Sequence, residues 1–331
     1  MKFKHAIGID VSKDTLDAVC HLTRAYIKVS NNNTGFKQLL SWVKKQVHKE
    51  LEQTLFCFEH TGLYSLELAL FLEAQQLRFA IESPVSIKRS MGLKRGKSDK
   101  VDAFAIAHYA YLRREELKQY KMPSVHIRKM QVLLTQRDLL VSQRTALKNA
   151  QGEQHNILAI GENKVLFDVY QQTIAHFNKQ IEKVEAALNA LIASDPQLHK
   201  LFRLITSIKG IGDVIGYYML VYTGGFTQFE TWRQFACYCG IAPFDHQSGT
   251  SIKSAKRVHQ MAHRKIKSLL FLAAATAVQF DPELKAYYQR RIAEGKKKRY
   301  TLNAVKNKLV ARIFAVVKRD SRFVQLYLHA A

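Results

Sequence analysis

The sequence predicts an α/β domain followed by a mainly helical, all-α remainder. Three observations carry that prediction. Segments with strand-like alternation cluster near the start of the chain, and from about residue 128 onward helical periodicity replaces them. Hydrophobic residues make up 47% of the 331, against only 15 Gly and 5 Pro, so a sizeable core forms and a disordered or collagen-like chain is excluded.

The elements follow in order. Residues 5–11 (HAIGIDV) alternate apolar with small or polar residues and read as a strand. Residues 15–22 and 25–29 read as two more, joined by short polar connections into an antiparallel meander. Asn31, Asn32, Asn33 and Thr34 precede an apolar-periodic run of Phe36, Leu39, Leu40 and Val43, which predicts a capped helix. TLFCFE (54–59) reads as a buried strand, 63–76 as a helix and RFAIE (78–82) as a further strand. The order β-β-β-α-β-α-β, followed by helices, matches the ribonuclease H-like arrangement, in which a three-strand meander feeds α/β units.

Further on, Ile174, Phe177, Ile181, Val184, Leu188 and Leu191 alternate spacings of three and four residues, an a/d seam that predicts a coiled coil. Leu133, Leu140 and Leu147 repeat every seven residues ahead of it, and 159–163 (AIGEN) reads as the turn between two long helices. After Asp195-Pro196 a predominantly helical region is expected. Its core is placed at Leu269–Leu272 and Ala273–Ala275, with KKKR (296–299) as a loop or helix start and 302–317 as a basic amphipathic helix. The expected division is therefore 1–127, 128–195 and 196–331.

The formal charge is +24, and it is uneven. Residues 1–83 hold 10 Lys/Arg and 9 Asp/Glu, 84–250 hold 22 and 14, and 251–331 hold 19 and 4. A field concentrated at one end attracts polyanions, nucleic acid above all; an anionic membrane surface would need a basic anchor helix at an end. Four Cys in 331 residues make no disulfide framework and fit a reducing compartment. The apolar run from Ala6 to Val11 is short and carries Asp10, so no signal peptide is expected. The run Leu269–Val278 is too short to span a bilayer.

Four acids stand where such a fold would gather them. Asp10 lies in the first strand, Glu59 ends the fourth, and Asp99 and Asp102 share one face of a helix start. Close carboxylates repel and raise each other's pKa unless a cation compensates, and hard oxygen ligands suit Mg²⁺ or Mn²⁺. Two such ions can hold both the attacking and the leaving oxygen of a phosphodiester. Lys88, Arg89, Lys94, Arg95, Lys97 and Lys100 would rim that centre for a nucleic-acid backbone. Taken singly, each acid also reads as a turn, loop or capping group, and Asp14 and Asp17 compete with Asp10.

Two later segments bear on chemistry. In GIAPFDHQSGTS (240–251), Ser248 follows a polar turn, Asp245-His246-Gln247, and precedes Lys253, Lys256 and Arg257. A serine there attacks a phosphodiester if a base or metal activates it, but on chemistry alone Ser-Gly in a loop reads first as a turn. Asp245 and His246 read as proton acceptors or as capping groups. SIKGIGDVIGYY (207–218) has a helix-hairpin-helix pattern, in which Gly210 and Gly212 let backbone N–H groups approach a phosphate or simply allow a tight turn. Cys237 and Cys239 have no second pair nearby, which argues against zinc.

With GIDVSKDTLD, FEHTGLY, KSDKVDAFAIAHYA, SIKGIGDVIG and CGIAPFDHQSGTS in order along nearly the whole length, the chain resembles the DEDD-type transposases of insertion-sequence family one-ten, related to the Piv/MooV pilin-gene DNA invertases. The resemblance implies an N-terminal RuvC-like domain, a coiled-coil connection and a C-terminal transposase domain. It implies Asp10, Glu59, Asp99 and Asp102 as an acidic tetrad with Mg²⁺, and Ser248 as the nucleophile of a covalent phosphoserine link to DNA. It further implies donor and target DNA, a structured bridge RNA, dimers assembling to tetramers with one protomer's serine completing another's acidic site, and a bacterial cytoplasmic location at the nucleoid. The run HQMAHRKIKSLL after Arg257 departs from the Arg-Gly-Asn-type turn of many relatives. Two other functions use the same residues: a RuvC-like nuclease or resolvase that activates water, and an architectural nucleic-acid-binding protein with an idle acidic site.

Overall fold

The computed structural model describes residues 3–48, 50–59, 61–90, 98–158, 163–248, 252–258 and 262–324, with backbone alone over 244–248 and 252–258. They fall into two compact units that divide between Met122 and Pro123.

The first unit runs β1 (His5–Val11), β2 (Thr15–Cys20), β3 (Tyr26–Ser30), α1 (Asn33–Gln46), β4 (Thr54–Glu59), α2 (Leu66–Ala74), β5 (Phe79–Glu82), α3 (Pro84–Ser90) and α4 (Asp99–Leu112). The five strands form one mixed sheet in the order β3-β2-β1-β4-β5. β1–β2 and β2–β3 pair antiparallel, whereas β1–β4 and β4–β5 pair parallel. The fourth strand thus lies beside the first, as the order of elements leads one to expect. Alternation along β1 splits its side chains between two layers. Ile7 and Ile9 pack with Phe36, Leu39 and Val43 of α1 and with Leu68 and Leu72 of α2. Ala6 turns the other way and joins Leu55 and Cys57 of β4 against Ile106, Tyr109 and Ala110 of α4. Both faces are covered, which is why β1 and β4 are nearly continuous apolar runs.

Gly8 sets the height at which α4 rides on the sheet. A Cβ there would lie 2.1 Å from the backbone nitrogen of Ala107 and 2.3 Å from the carbonyl oxygen of Ala103. Both are main-chain atoms of a helix and cannot swing aside. Gly8→Ala is expected to cost about 3 kcal/mol, the upper end of ordinary overpacking. The check is a lower urea midpoint with an unchanged slope; a wild-type midpoint would refute this packing.

The second unit opens with two long helices, α5 (Val125–His155) and α6 (Lys164–Ala193). Arg137 donates to Glu185 at 2.7 Å and Arg144 to Asn178 at 2.8 Å. One heptad forward on α5 meets one heptad back on α6, so the pair is antiparallel. Ile174, Ile181 and Leu188 of the expected seam are buried, and Leu133, Val184 and Leu191 pack partly buried at the base of the pair. Of the expected turn between the helices, 159–162 lie outside the described residues. Then follow α7 (Pro196–Thr206), α8 (Asp213–Tyr222), α9 (Trp232–Tyr238), β6 (Pro243–Ser248), β7 (Ile252–Val258), α10 (Arg264–Phe280), α11 (Pro282–Ala293) and α12 (Lys298–Arg319). Asp195 caps α7 by accepting from the amides of Gln197 and Leu198, with Pro196 just inside the helix.

Two sequence expectations are corrected here. Asp245-His246-Gln247 is not a polar turn but part of β6, which pairs antiparallel with β7, Ser248 standing opposite Ile252. Asp245, His246 and Gln247 have low strand propensity, and pairing to β7 overrides it. The apolar run of α10 is also not all core. Leu270, Ala273 and Ala274 are buried, whereas Phe271 and Leu272 are 45% and 58% exposed. A contiguous run on a helix must point round the whole barrel, and only one stripe faces the unit's core.

Candidate active site

Strand alternation and register assemble the acids. Asp10 lies two residues beyond Gly8, hence on the face of β1 that α4 covers. Ile9 is opposite Phe58, so Asp10 and Glu59 come next in step on adjacent parallel strands; Glu59 is itself opposite Glu82. Gly8 abuts Ala103 and Ala107 of α4, and Asp99 and Asp102 occupy that helix's first turn just upstream. Ser98 caps the turn by accepting from the Val101 amide at 3.3 Å, and the helix dipole there favours both carboxylates.

The charges feel one another. Burial, then the negative charges of Asp102, Asp99 and Asp17, raise the Asp10 carboxyl above its ordinary range. Burial and the charges of Asp10 and Asp102 raise Glu59, with Lys88 opposing. The Asp99 carboxylate is 64% exposed and lies 3.4 Å from the Lys28 ammonium. Among the described residues no three His, Cys, Asp or Glu side chains are placed to hold a metal ion as they stand. The chemistry of the set nevertheless suits a hard divalent cation, because burial and neighbouring negative charge hold the Asp10 and Glu59 carboxyls above their ordinary range, which a shared positive charge would relieve.

Asp17, a competitor of Asp10 in the sequence, and several neighbours that the sequence did not single out stand beside these acids. Asp17, opposite Asp10 on β2, is buried, accepts a hydrogen bond from the Tyr26 hydroxyl and forms an ion pair with the Lys28 ammonium at 3.4 Å. Asp17 is thus engaged by side chains of β3, whereas the Asp10 carboxyl takes a backbone hydrogen bond from Val11. Lys28 bridges Asp17 and Asp99, and the hairpin register Asp17↔Lys28 was the signal that would have found it. Glu82 accepts from the Tyr109 hydroxyl at 3.1 Å and is occupied in holding α4 to β5. Of the expected basic rim, Lys88 and Arg89 end α3, while Lys94, Arg95 and Lys97 lie outside the described residues.

The remaining expected residues sit in the second unit. Ser248 ends β6, and β7 carries Lys253 opposite Gln247 and Arg257 opposite Phe244, with Lys256 between them in sequence. Gly210 (φ +91°) turns the chain between α7 and α8, and a Cβ on it would meet the Ala273 carbonyl of α10 at 2.8 Å. Close packing against α10 therefore accounts for Gly210. Gly212 caps α8 with nothing within 4 Å of its would-be Cβ, leaving that helix start open.

Among the described residues no helix is long and apolar enough to cross a membrane. Comparison with known proteins covers both units. Residues 7–153 match a DEDD transposase family model of IS110 elements, and 202–289 match the Transposase IS116/IS110/IS902 family. The pilin gene-inverting proteins of Moraxella bovis and Moraxella lacunata are each 30% identical, over 97% of this chain and 98% of theirs. An IS110 protein of Streptomyces coelicolor, described as an uncharacterized 43.6 kDa protein, is 32% identical over 45% of this chain and 35% of its own. With full-length likeness at that identity and a family model on each side of the division between units, the chain belongs to the IS110 family of transposases, enzymes that recombine DNA.

Proposed function

We propose that this transposase cuts and rejoins the DNA of an insertion sequence through a covalent phosphoserine intermediate on Ser248. Asp10, Glu59, Asp99 and Asp102 are the acidic tetrad of an RNase H-like, RuvC-like domain and would hold Mg²⁺ or Mn²⁺. When bound, the metal supplies positive charge to the reacting phosphoryl group. The single observation that carries the reading is the stepping of Asp10 and Glu59 on paired parallel strands, beneath a helix whose first turn bears the other two acids.

In the cleavage step the Ser248 oxygen forms a bond to phosphorus as one bridging P–O bond breaks. The serine proton passes to a base, and the departing strand end leaves as a hydroxyl. Rejoining reverses this: a strand hydroxyl attacks the phosphoserine and releases Ser248. Because the ester keeps the bond energy, joining needs no other source. Residues 1–127 serve as the catalytic domain, 128–195 as a coiled-coil connection and 196–331 as the serine-bearing domain. Kinship alone supports a bridge RNA that pairs with donor and target DNA, and dimers that assemble to tetramers.

The test is to incubate the full chain with supercoiled DNA and Mg²⁺, quench in denaturant and map any linked nucleotide by mass spectrometry. A nucleotide on the peptide containing Ser248 is expected. Free 5′-phosphate ends without protein would instead identify a water-using nuclease.

A further inference from the structure

Lys306 lies in the middle of α12 and is only 6% exposed. Lysine is almost never buried to this extent without a partner, because removing an ammonium from water is costly. Among the described residues no carboxylate or hydrogen-bond acceptor reaches it. The charges that act on it belong to Lys267 of α10 and Arg299 at the start of α12, both of its own sign. Burial, then those two cations, pull its ammonium down to about 8. Two cations beside a buried third are unfavourable for the chain alone and become favourable once an anion enters among them.

The position of the cluster is as informative as its charge. Arg299, Asn303 and Lys306 follow one another at helical spacing along a single face of α12. From that face Asn303 and Asn307 donate to the carbonyl of Ile241, at 2.8 and 3.0 Å. Ile241 stands two residues before β6, so α12 clamps the root of the hairpin whose far end is Ser248.

We propose that Lys306, Lys267 and Arg299 form a phosphate subsite for the DNA strand that Ser248 attacks. This rests on the recombinase reading above. The ligand is a phosphodiester monoanion of the backbone, taken up without regard to base. From Pro243 to Ser248 the strand spans roughly 17 Å at ~3.3 Å per residue. At ~3.4 Å of helix axis per nucleotide that is about five nucleotides. The subsite therefore grips a flanking phosphate rather than the scissile one, and so fixes the register of the strand against the serine.

The test is binding of a duplex DNA to the full chain across a series of salt concentrations, for wild type and Lys306→Met. The variant is expected to lose affinity roughly tenfold at moderate salt. Its slope of log affinity against log salt should fall by about one phosphate's worth. Its melting temperature should hold or rise, because a buried unpaired charge is gone. If Lys306→Met melts far below wild type, the double variant Lys267→Gln/Arg299→Gln, outside the core, carries the same slope criterion.

A Lys306→Met protein with wild-type affinity and slope overturns the subsite and leaves the recombinase reading intact. A wild-type chain that binds no DNA overturns both. Inorganic phosphate that stabilises wild type but not the variant, with the DNA slope unchanged, marks a free-phosphate site and rejects the proposal. Loss of slope on duplex RNA alone assigns the anion to RNA and likewise rejects it.

Discussion

Ser248→Ala is expected to give no detectable covalent protein–DNA adduct and no recombinant product, while DNA affinity and its salt dependence stay at wild-type values. The substitution deletes the attacking oxygen and changes no charge, so it separates chemistry from the electrostatic term that dominates binding. Denaturing gels of quenched reactions read the adduct, and titrations in salt read the binding. Thr250 and Ser251 follow closely in sequence and offer hydroxyls of their own. An adduct that survives in Ser248→Ala, mapped to either of them, would remove Ser248 from the role proposed for it.

Asp10→Asn is expected to lower strand cleavage by on the order of 10³-fold, the scale seen when one preorganised electrostatic contact to a transition state is removed. The same change is expected to raise the melting temperature of the metal-free protein. Asp10 is held partly buried among carboxylates of its own sign, which lift its pKa. The sign follows from linkage. An acid whose folded pKa is raised contributes stability below its unfolded pKa, near 3.9, and that contribution is lost as pH rises through the folded value. The thermal advantage of the Asn variant should therefore be present at neutral pH and fade in acid, where wild-type Asp10 is itself protonated. Adding Mg²⁺ should stabilise wild type more than the variant. A variant with lower melting temperature at every pH would make Asp10 a structural residue rather than part of a charged centre.

Much of the first unit was legible before any tertiary contact was known. Its strands are short apolar runs bounded by polar turns, and Asn32 and Ser98 announce the helices that they cap, accepting from Gly35 and Val101. Gly8 and Asp10 share a face because strand periodicity is two, whatever covers them. The hairpin of β6 and β7 was hidden because Asp245, His246 and Gln247 carry turn chemistry, and only pairing with a second strand makes them extended. Lys28 and Lys306 were equally hidden. One draws its meaning from a cross-strand neighbour and a helix start far along the chain, the other from a helix packed over it.

What the sequence determined by itself was the order of elements, the segregation of charge toward the last quarter and the motifs that mark the family. These are local or additive properties, fixed by residue type and spacing. Tertiary structure alone decided which early aspartate pairs with Tyr26 and Lys28, which stripe of α10 is core and which lysine is buried beside two other cations. Each of these depends on which surface of one element lies against another, and burial changes the energy of a charge or an apolar group far more than its sequence neighbours do.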